Sequence, residues 1–281
     1  MRNRFKQAVR ERRPQIGLWS SLCSNIGAEI LADAGFDWIL LDTEHSPNEL
    51  PGLLSQMQAI GRDQTTPVVR AAWNDAVLIK RILDIGAPAV LVPYVQNAEE
   101  ARQAVASVRY PPAGVRGVSA GSRASRYGRV SGYLKKADSE ICLLVQVETR
   151  AALEHLLQAR SCEAAILVGT DMPLLTAEHI NEARDILDGF RGVVLGPTDD
   201  GGYYLIGMRA VRPELFQGVE FGTASVLADT LSVAHRIGLE ARLMRAGYDV
   251  DTIEDLRKLE RDLRKAPSDL APRLRAWCSD G

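Results

Sequence analysis

Short apolar runs that alternate with helical stretches constrain this chain more than any other feature of it. In the first half the runs cover residues 15–19, 38–41, 67–71, 89–92 and 141–147. Each is apolar on consecutive residues, the pattern of strands buried on both faces of a parallel sheet. Between them the spacing predicts helices over 26–34, 49–60, 75–85, 98–108 and 151–158. Asp75 and Asn97 stand where N-caps belong, and Gly35 and Gly86 where helices end on glycine. The basic N-terminal segment, with Phe5 and Val9 at helical spacing, reads as an opening amphipathic helix. The second half continues with strands at 164–168, 192–195, 203–208 and 240–243 and helices at 177–187, 224–237 and 252–265. The class is α/β. The first five strands and three of the later ones make eight, enough to close a barrel; an open, partly wound sheet satisfies the same count.

Composition narrows the partners. The 34 Lys and Arg nearly balance the 36 Asp and Glu, for a net charge of −2. That gives no electrostatic reason to expect nucleic acid or an anionic membrane. No apolar stretch approaches the ~20 residues that span a bilayer, and no apolar core follows the basic N-terminus as in a signal peptide. Cys23, Cys142, Cys162 and Cys278 show no C-x-x-C spacing, so reduced thiols in a cytoplasmic protein are expected. The one long irregular stretch, 110–134, is rich in Gly, Ser and Arg and is expected to overhang the site.

In parallel α/β folds the chemistry gathers where strands end. The run ending at Leu41 is followed by Asp42, Thr43, Glu44 and His45. The third run leads into Arg70, the fifth into Gln146 and Glu148, and the run 164–168 into Gly169, Thr170 and Asp171. Carboxylates without thiolates suit a hard divalent cation with oxygen ligands, Mg²⁺ or Mn²⁺. Each residue has a plainer alternative. Glu148 and Asp171 also fit first-turn helix acids, Arg70 a simple ion pair, and Gln146 a satisfied core group. His45 also fits an exposed or structural imidazole, although Asp42 beside it could fix its tautomer. His155, His179 and His235 lie in helical stretches and read as surface or packing residues.

Residues 15–155 resemble the class II pyruvate aldolases of the HpcH/HpaI type. The resemblance is carried by GLWSSLCSNIGAEILADAGFDWILLDTEHSPNEL, PVVRAAWNDAVLIKRILDIGAPAVLVPYVQNAEEA, RYPPAGVRGVS with SRASRYGRV, and LLVQVETRAALEHL. It implies a (β/α)₈ barrel, a divalent metal (Mg²⁺, Mn²⁺ or Co²⁺), and reversible cleavage of a 4-hydroxy-2-oxo acid to pyruvate and an aldehyde. It implies Glu148 as metal ligand with Gln146 beside it and in contact with substrate. Arg70 would bind the pyruvate oxygens, and His45, backed by Asp42, would act as general base. Asp84 would complete that pair from a neighbouring subunit, so a homo-oligomer is implied. The family's next segment reads G-P-x-D-L-S; here CEAAILVGTDMPLLT stands instead, with Asp171 as substitute ligand. A Schiff-base route is disfavoured, because Lys6, Lys80, Lys135, Lys136, Lys258 and Lys265 all sit in helical or terminal stretches.

Residues 161–256 resemble a second family, bacterial glycosyltransferase-like proteins related to MobA-type nucleotidyltransferases of GT-A fold. AAILVGTDMPLLTAEHI, GPTDDGGYYLIG and YDVDTIEDLRKL carry this resemblance. It implies Asp171 as metal-binding acid, Asp199, Asp200, Gly201 and Gly202 as an acceptor-side loop, and Asp249 or Asp251 as a second acid. The plainer reading of DDGG is a tight turn into a strand. The chain therefore looks like a hybrid. Residues 1–158 form an incomplete aldolase-type barrel segment, and 159–281 a transferase-like α/β segment whose first strand, 164–168, docks beside the fifth aldolase strand. A metal-dependent aldolase leads, a nucleotide-sugar-dependent or nucleotidyl transferase is the alternative, and a catalytically silent fusion is a third reading.

Overall fold

The computed structural model describes residues 2–11, 13, 15–61, 65–149, 151, 152, 155, 164–169, 172, 174–210, 212–250 and 252–265. The chain divides into two compact units, whose described residues lie within 2–155 and 164–265. Among the described residues, no helix is long and apolar enough to cross a membrane.

The first unit is built on five parallel strands in chain order: β1 (Gly17–Ser20), β2 (Trp38–Asp42), β3 (Thr66–Arg70), β4 (Ala89–Val92) and β5 (Cys142–Val145). The returning helices are α2 (Asn25–Asp33), α3 (Leu50–Ile60), α4 (Ala76–Asp84) and α5 (Ala98–Val108), with α6 (Tyr133–Glu140) just before β5. Ile39, Leu41, Val69, Val90 and Val92 face the helices and pack on Ala28, Leu53, Met57, Ile79 and Leu83. Leu40, Val68, Leu91 and Cys142 face the other way, where Phe5 of α1 (Arg4–Arg10) closes over them. Burial on both faces is why these strands read as continuous apolar runs rather than alternating ones.

The helix ends follow local chemistry. Asp75 accepts the N–H groups of Val77 and Leu78, and Asn97 those of Glu99 and Glu100. Gly35 and Gly86 follow their helices with φ of +89° and +94°. Two details differ from the sequence reading. In α1 the buried pair is Phe5 and Ala8, one turn apart, while Val9 is 46% exposed. Helix α6 falls where no helix was expected, burying Tyr133 and Ala137 at i, i+4 spacing. Most of the helix expected over 151–158 lies outside the described residues. Cys142 is buried and Cys23 half-buried, both as free thiols; Cys162 and Cys278 also lie outside the described residues.

The second unit has a mixed sheet in the order β6–β8–β7–β9. Its strands are β6 (Ala165–Val168), β7 (Val193–Pro197), β8 (Tyr203–Met208) and β9 (Ala241–Leu243), with helices α7 (Ala177–Leu187), α8 (Val226–Arg236) and α9 (Ile253–Lys265). β8 runs antiparallel to both β6 and β7, and β7 parallel to β9. Two apolar layers flank this sheet. Leu187, Val194 and Leu205 belong to one, Val193, Leu195, Ile206 and Ala234 to the other.

This arrangement corrects two expectations. β6 pairs with β8 and not with β5, and among the described residues the five parallel strands form the incomplete barrel-type segment expected of the first half, while the later strands form a four-stranded mixed sheet in place of the rest of an eight-stranded barrel. The physical reason is the link between β7 and β8. Residues 198–202 are too few for the crossover that a parallel pair needs, so the chain turns back as a hairpin.

Candidate active site

In a parallel sheet every strand ends on the same edge, so the polar residues that close each apolar run collect on one rim. Asp42 ends β2 and Arg70 ends β3, and the register sets them opposite one another. Arg70 donates from Nε to Asp42 Oδ1 at 2.8 Å and from Nη2 to Oδ2 at 2.6 Å, a bidentate pair. Its Nη1 lies 2.8 Å from Glu44 Oε2. Arg70 and Asp42 are buried, with side chains 8% and 2% exposed. Trp19 of β1 completes the cage. Its ring lies under the guanidinium at 4.6 Å, and its indole N–H points at Asp42 Oδ2 from 3.5 Å. The loop after β2 is tied down too, since Thr43 Oγ1 donates to the Arg70 carbonyl at 2.6 Å and Ser46 Oγ to the Asp42 carbonyl at 2.5 Å.

The electrostatics follow from this packing. Burial alone would raise the Asp42 pKa. The Arg70 hydrogen bonds, the Glu44 N–H and the Arg70 charge outweigh it and bring the pKa down to about 2. Burial likewise opposes the charge on Arg70, but Asp42, Glu44 and Glu148 together raise its pKa. Glu148 therefore sits near enough to Arg70 to be felt electrostatically.

His45 does not join Asp42 as the sequence suggested. Its backbone N–H points at Asp42 Oδ1 from 3.4 Å, while the imidazole is 74% exposed and its Nε2 lies 3.7 Å from Glu44 Oε1. Asp42 thus orients Arg70, and Glu44 stands between Arg70 and His45.

Gln146 follows β5 and is held by backbone bonds to β4 and its following loop, its N–H to the Val92 carbonyl and its carbonyl to the Val95 N–H. Its side-chain Oε1 is buried and accepts no hydrogen bond. An orphaned buried acceptor calls for a partner. Glu148 stands two residues further on with an exposed side chain. This oxygen-only pair fits a hard divalent cation. Among the described residues, no three His, Cys, Asp or Glu side chains converge on such an ion, and Asp171 lies outside the described residues.

Asp84 ends α4, which runs back from the rim, so it lies towards the edge where strands begin. There Arg116, fully buried and stacked on Tyr110 at 4.5 Å, donates to its Oδ1 at 2.9 Å. The loop 110–134 also settles away from the rim, against expectation. Arg123 donates to the Ile85 carbonyl at 2.7 Å, just past α4, and reaches the Met57 carbonyl of α3 at 3.5 Å. Guanidinium donors satisfy the orphan carbonyls that helices leave at their C-termini, and this draws the loop to that edge.

The DDGG segment is the β7–β8 turn. Asp200 Oδ1 accepts the Thr198 hydroxyl at 2.5 Å and the Gly202 N–H at 3.0 Å, contacts that lower its pKa. Gly201 has φ of +94°, and a Cβ there would lie 2.0 Å from the Ala224 carbonyl oxygen. Asp199 Oδ2 receives Lys258 Nζ at 2.5 Å. These contacts make the plainer reading of the motif the structural one; Asp171 and Asp251 lie outside the described residues. His179 is buried, with its pKa lowered by that burial, and bonds to Thr176 at the start of α7, a packing role. His235 is exposed on α8, and His155 is exposed with Nδ1 2.9 Å from the Gln96 carbonyl.

Two rim residues escaped the sequence reading as site members. Glu44 was visible as an acid two places past a strand end. Trp19 was visible as an aromatic closing the first apolar run.

The HpcH/HpaI aldolase/citrate lyase family model matches residues 15–200. The likeness that was expected to stop near residue 158 runs on through β6 and β7 to Asp200. Over 221 residues the chain is 47% identical to a 4-hydroxy-2-oxo-heptane-1,7-dioate aldolase of Klebsiella pneumoniae, covering 78% of this chain and 74% of that protein. It is 55% identical over 164 residues to the enzyme of that name from Escherichia coli, covering 58% of this chain and 63% of the relative. A crystal structure of an HpcH/HpaI aldolase/citrate lyase family protein from Burkholderia cenocepacia J2315 aligns with a TM-score of 0.55 at 26% identity, over 94% of this chain and 98% of that one. With the strand-end residues, the parallel sheet that presents them and these likenesses all in agreement, the chain belongs to the HpcH/HpaI aldolase/citrate lyase family.

Proposed function

We propose that this chain is a class II aldolase that cleaves a 4-hydroxy-2-oxo acid to pyruvate and an aldehyde at the rim of its first unit. The observation that carries this reading is the buried Asp42–Arg70–Glu44 array beside the oxygen donors Gln146 and Glu148. A guanidinium has five N–H bonds; two donate to Asp42, Nη1 lies in ion-pair range of Glu44, and the N–H bonds left over take the oxygens of the 2-oxo acid. Asp42 and Trp19 fix that fork, so little reorganisation accompanies charge build-up on the pyruvate oxygen as the C–C bond breaks. His45, exposed and next to Glu44, accepts the proton of the 4-hydroxyl as the aldehyde forms. Glu148, Gln146 and Asp171 would hold a divalent cation (Mg²⁺, Mn²⁺ or Co²⁺), which supplies Lewis-acid polarisation of the 2-oxo group when bound. Asp84 would meet His45 of a second copy in a homo-oligomer, since its own chain holds it towards the opposite edge. Lys6, Lys80, Lys135 and Lys136 all lie on helices, so no described lysine of the first unit stands at a strand end for a Schiff base.

The test is exchange of the pyruvate methyl protons in D₂O with Mn²⁺ present. Exchange in the wild type and its loss in Glu148→Ala support the reading. Absence of exchange in the wild type, or equal exchange in the variant, overturns it.

One observation favours a second reading for residues 159–281, a nucleotide-sugar-dependent or nucleotidyl transferase segment. The antiparallel β8 gives this unit a mixed sheet unlike the continuation of a parallel barrel. A rise in melting temperature with a nucleotide sugar and Mg²⁺ would support it; no rise removes it.

A further inference from the structure

Trp73 and Tyr94 stand on the same rim as the buried array, and nothing in that array uses them. Arg70 of β3 and Leu91 of β4 are partners in the parallel register. Trp73 and Tyr94 each follow one member of that pair by three residues. Three residues of backbone span at most about 11 Å, so both positions lie within a small molecule's length of the Arg70 level. The pairing carries on past the strand ends, since the Ala71 N–H donates to the Leu91 carbonyl at 2.9 Å. The loop that carries Tyr94 is also clipped to the Gln146–Glu148 segment. The Val95 N–H donates to the Gln146 carbonyl at 3.1 Å, and the Thr149 hydroxyl donates to Gln96 Oε1.

The two rings stack on one another, with centroids 5.7 Å apart and planes at 28°. They are not core residues, for Trp73 is 53% exposed and Tyr94 43%. Tyr94 has φ of +55°, a conformation that glycine adopts freely and a bulky side chain does not. Backbone in that state persists only where its surroundings impose it, and it gathers at active sites and ligand clamps. Here the Gln96 side-chain amide donates to the Tyr94 carbonyl at 3.3 Å, and the next residue, Val95, is anchored to Gln146. A strained backbone that holds a half-exposed ring contributes nothing to the core. A guest that covers the rings accounts for both features.

We propose that Trp73 and Tyr94 determine the choice of aldehyde partner, and that they select an aldehyde bearing a planar aromatic ring. The inference rests on the aldolase reading above and adds to it the class of the second substrate. With the 2-oxo acid end held by Arg70, the group beyond C4 reaches the stacked pair. Ring faces are negative and ring edges positive, so a third ring extends the stack in an offset or edge-to-face arrangement. In the addition direction the pyruvate methyl carbon loses a proton and bonds to the aldehyde carbon, whose oxygen takes up a proton. No other atom is gained or lost. The substituent on the aldehyde takes no part in these bonds, so the two rings act on selection.

Aldol addition to pyruvate with Mn²⁺ present, using benzaldehyde and propanal in turn, tests this on the wild type, Trp73→Ala, Tyr94→Gly and Tyr94→Phe. The readout is the ratio of kcat/KM for the two aldehydes, in which a general loss of activity cancels. The benzaldehyde-to-propanal ratio should fall about fivefold or more in Trp73→Ala and Tyr94→Gly, chiefly through the benzaldehyde KM. It should hold in Tyr94→Phe, which keeps the ring. Glycine suits the backbone at position 94, so Tyr94→Gly removes the ring without straining the loop. An unchanged ratio in either truncation overturns the inference, as does a fall in Tyr94→Phe as large as in Tyr94→Gly. A changed subunit count in either truncation would place the rings between copies of the chain and overturn it too. Exchange of the pyruvate methyl protons in the wild type separates this inference from the reading beneath it. Exchange without addition to benzaldehyde overturns the aldehyde assignment alone; absence of exchange overturns the aldolase reading and this inference with it.

Discussion

The two units carry similar numbers of acids at strand ends and use them in opposite ways. In the first unit all five strands run the same way, so Asp42, Arg70 and the Gln146–Glu148 segment finish on one edge. There Asp42 and Arg70 are buried and answer one another across strands, with Glu148 exposed nearby. In the second unit β6, β7 and β9 end on one edge, but β8 runs against them, so the chain leaves β7 on that edge through a tight hairpin rather than a crossover. Asp199 and Asp200 are spent within a turn and on one exposed lysine. Strand direction, more than the number of acidic residues, decides whether carboxylates become a site or a hairpin.

The largest expected effect lies in the buried array. Arg70→Ala leaves Asp42 and Glu44 without their cation, which should cost about 3–5 kcal/mol of first-unit stability. Methyl-proton exchange of pyruvate should fall by roughly 10²–10³ or more. Unfolding followed by the fluorescence of Trp19, Trp38 and Trp73 reports the stability, since these three lie in the first unit. A variant as stable and active as the wild type would remove the contrast between the units.

The second unit offers a backbone counterpart. At Gly201 the left-handed φ and the nearby Ala224 carbonyl together exclude a side chain. Gly201→Ala should destabilise the second unit by roughly 2–3 kcal/mol, read by hydrogen exchange of the β7–β8 amides. Pyruvate exchange should stay at the wild-type rate. A parallel fall in that rate would show the hairpin to matter to the rim chemistry.

Acid should separate the units by a smaller margin. The Asp42 pKa drops from an ordinary 3.8 to about 2 in the fold. A carboxyl so depressed stabilises the native state fully above its unfolded value and loses that contribution as pH falls from about 4 through about 2. The separation corresponds to about 2 kcal/mol. Denaturant titrations across that range should show the first unit weakening in the wild type, and a flatter profile in Asp42→Asn.

Most of the element positions were legible because a strand buried on both faces must be apolar throughout and a helix must announce its cap. Asp75, Asn97, Gly35 and Gly86 did so. The direction of β8 was legible only through the shortness of the 198–202 link, a signal weaker than the apolar run it joins. At the rim, Asp42, Arg70, Gln146 and Glu148 could be found as the polar closures of apolar runs. Their pairing could not. Asp42 is only three residues from His45 in sequence, yet the parallel register sets it opposite Arg70, 28 residues on. The resting place of loop 110–134 was equally hidden, because the carbonyls that hold Arg123 belong to helices distant in sequence.

The smallest effect tests the other side of the contrast. Lys258 Nζ lies 2.5 Å from Asp199 Oδ2 and 3.9 Å from the Tyr248 ring centroid, with the two charged side chains 36% and 59% exposed. Solvent screens such a pair, and ordering two side chains offsets much of the attraction. Asp199→Asn should therefore change stability by less than about 1 kcal/mol. If Asp199 serves only the turn, the variant's response to a nucleotide sugar with Mg²⁺ should match the wild type's. If instead a wild-type thermal shift with that pair of ligands disappeared in Asp199→Asn, the acids of the hairpin would be ligands after all. Strand direction would then no longer be enough to explain which unit carries chemistry.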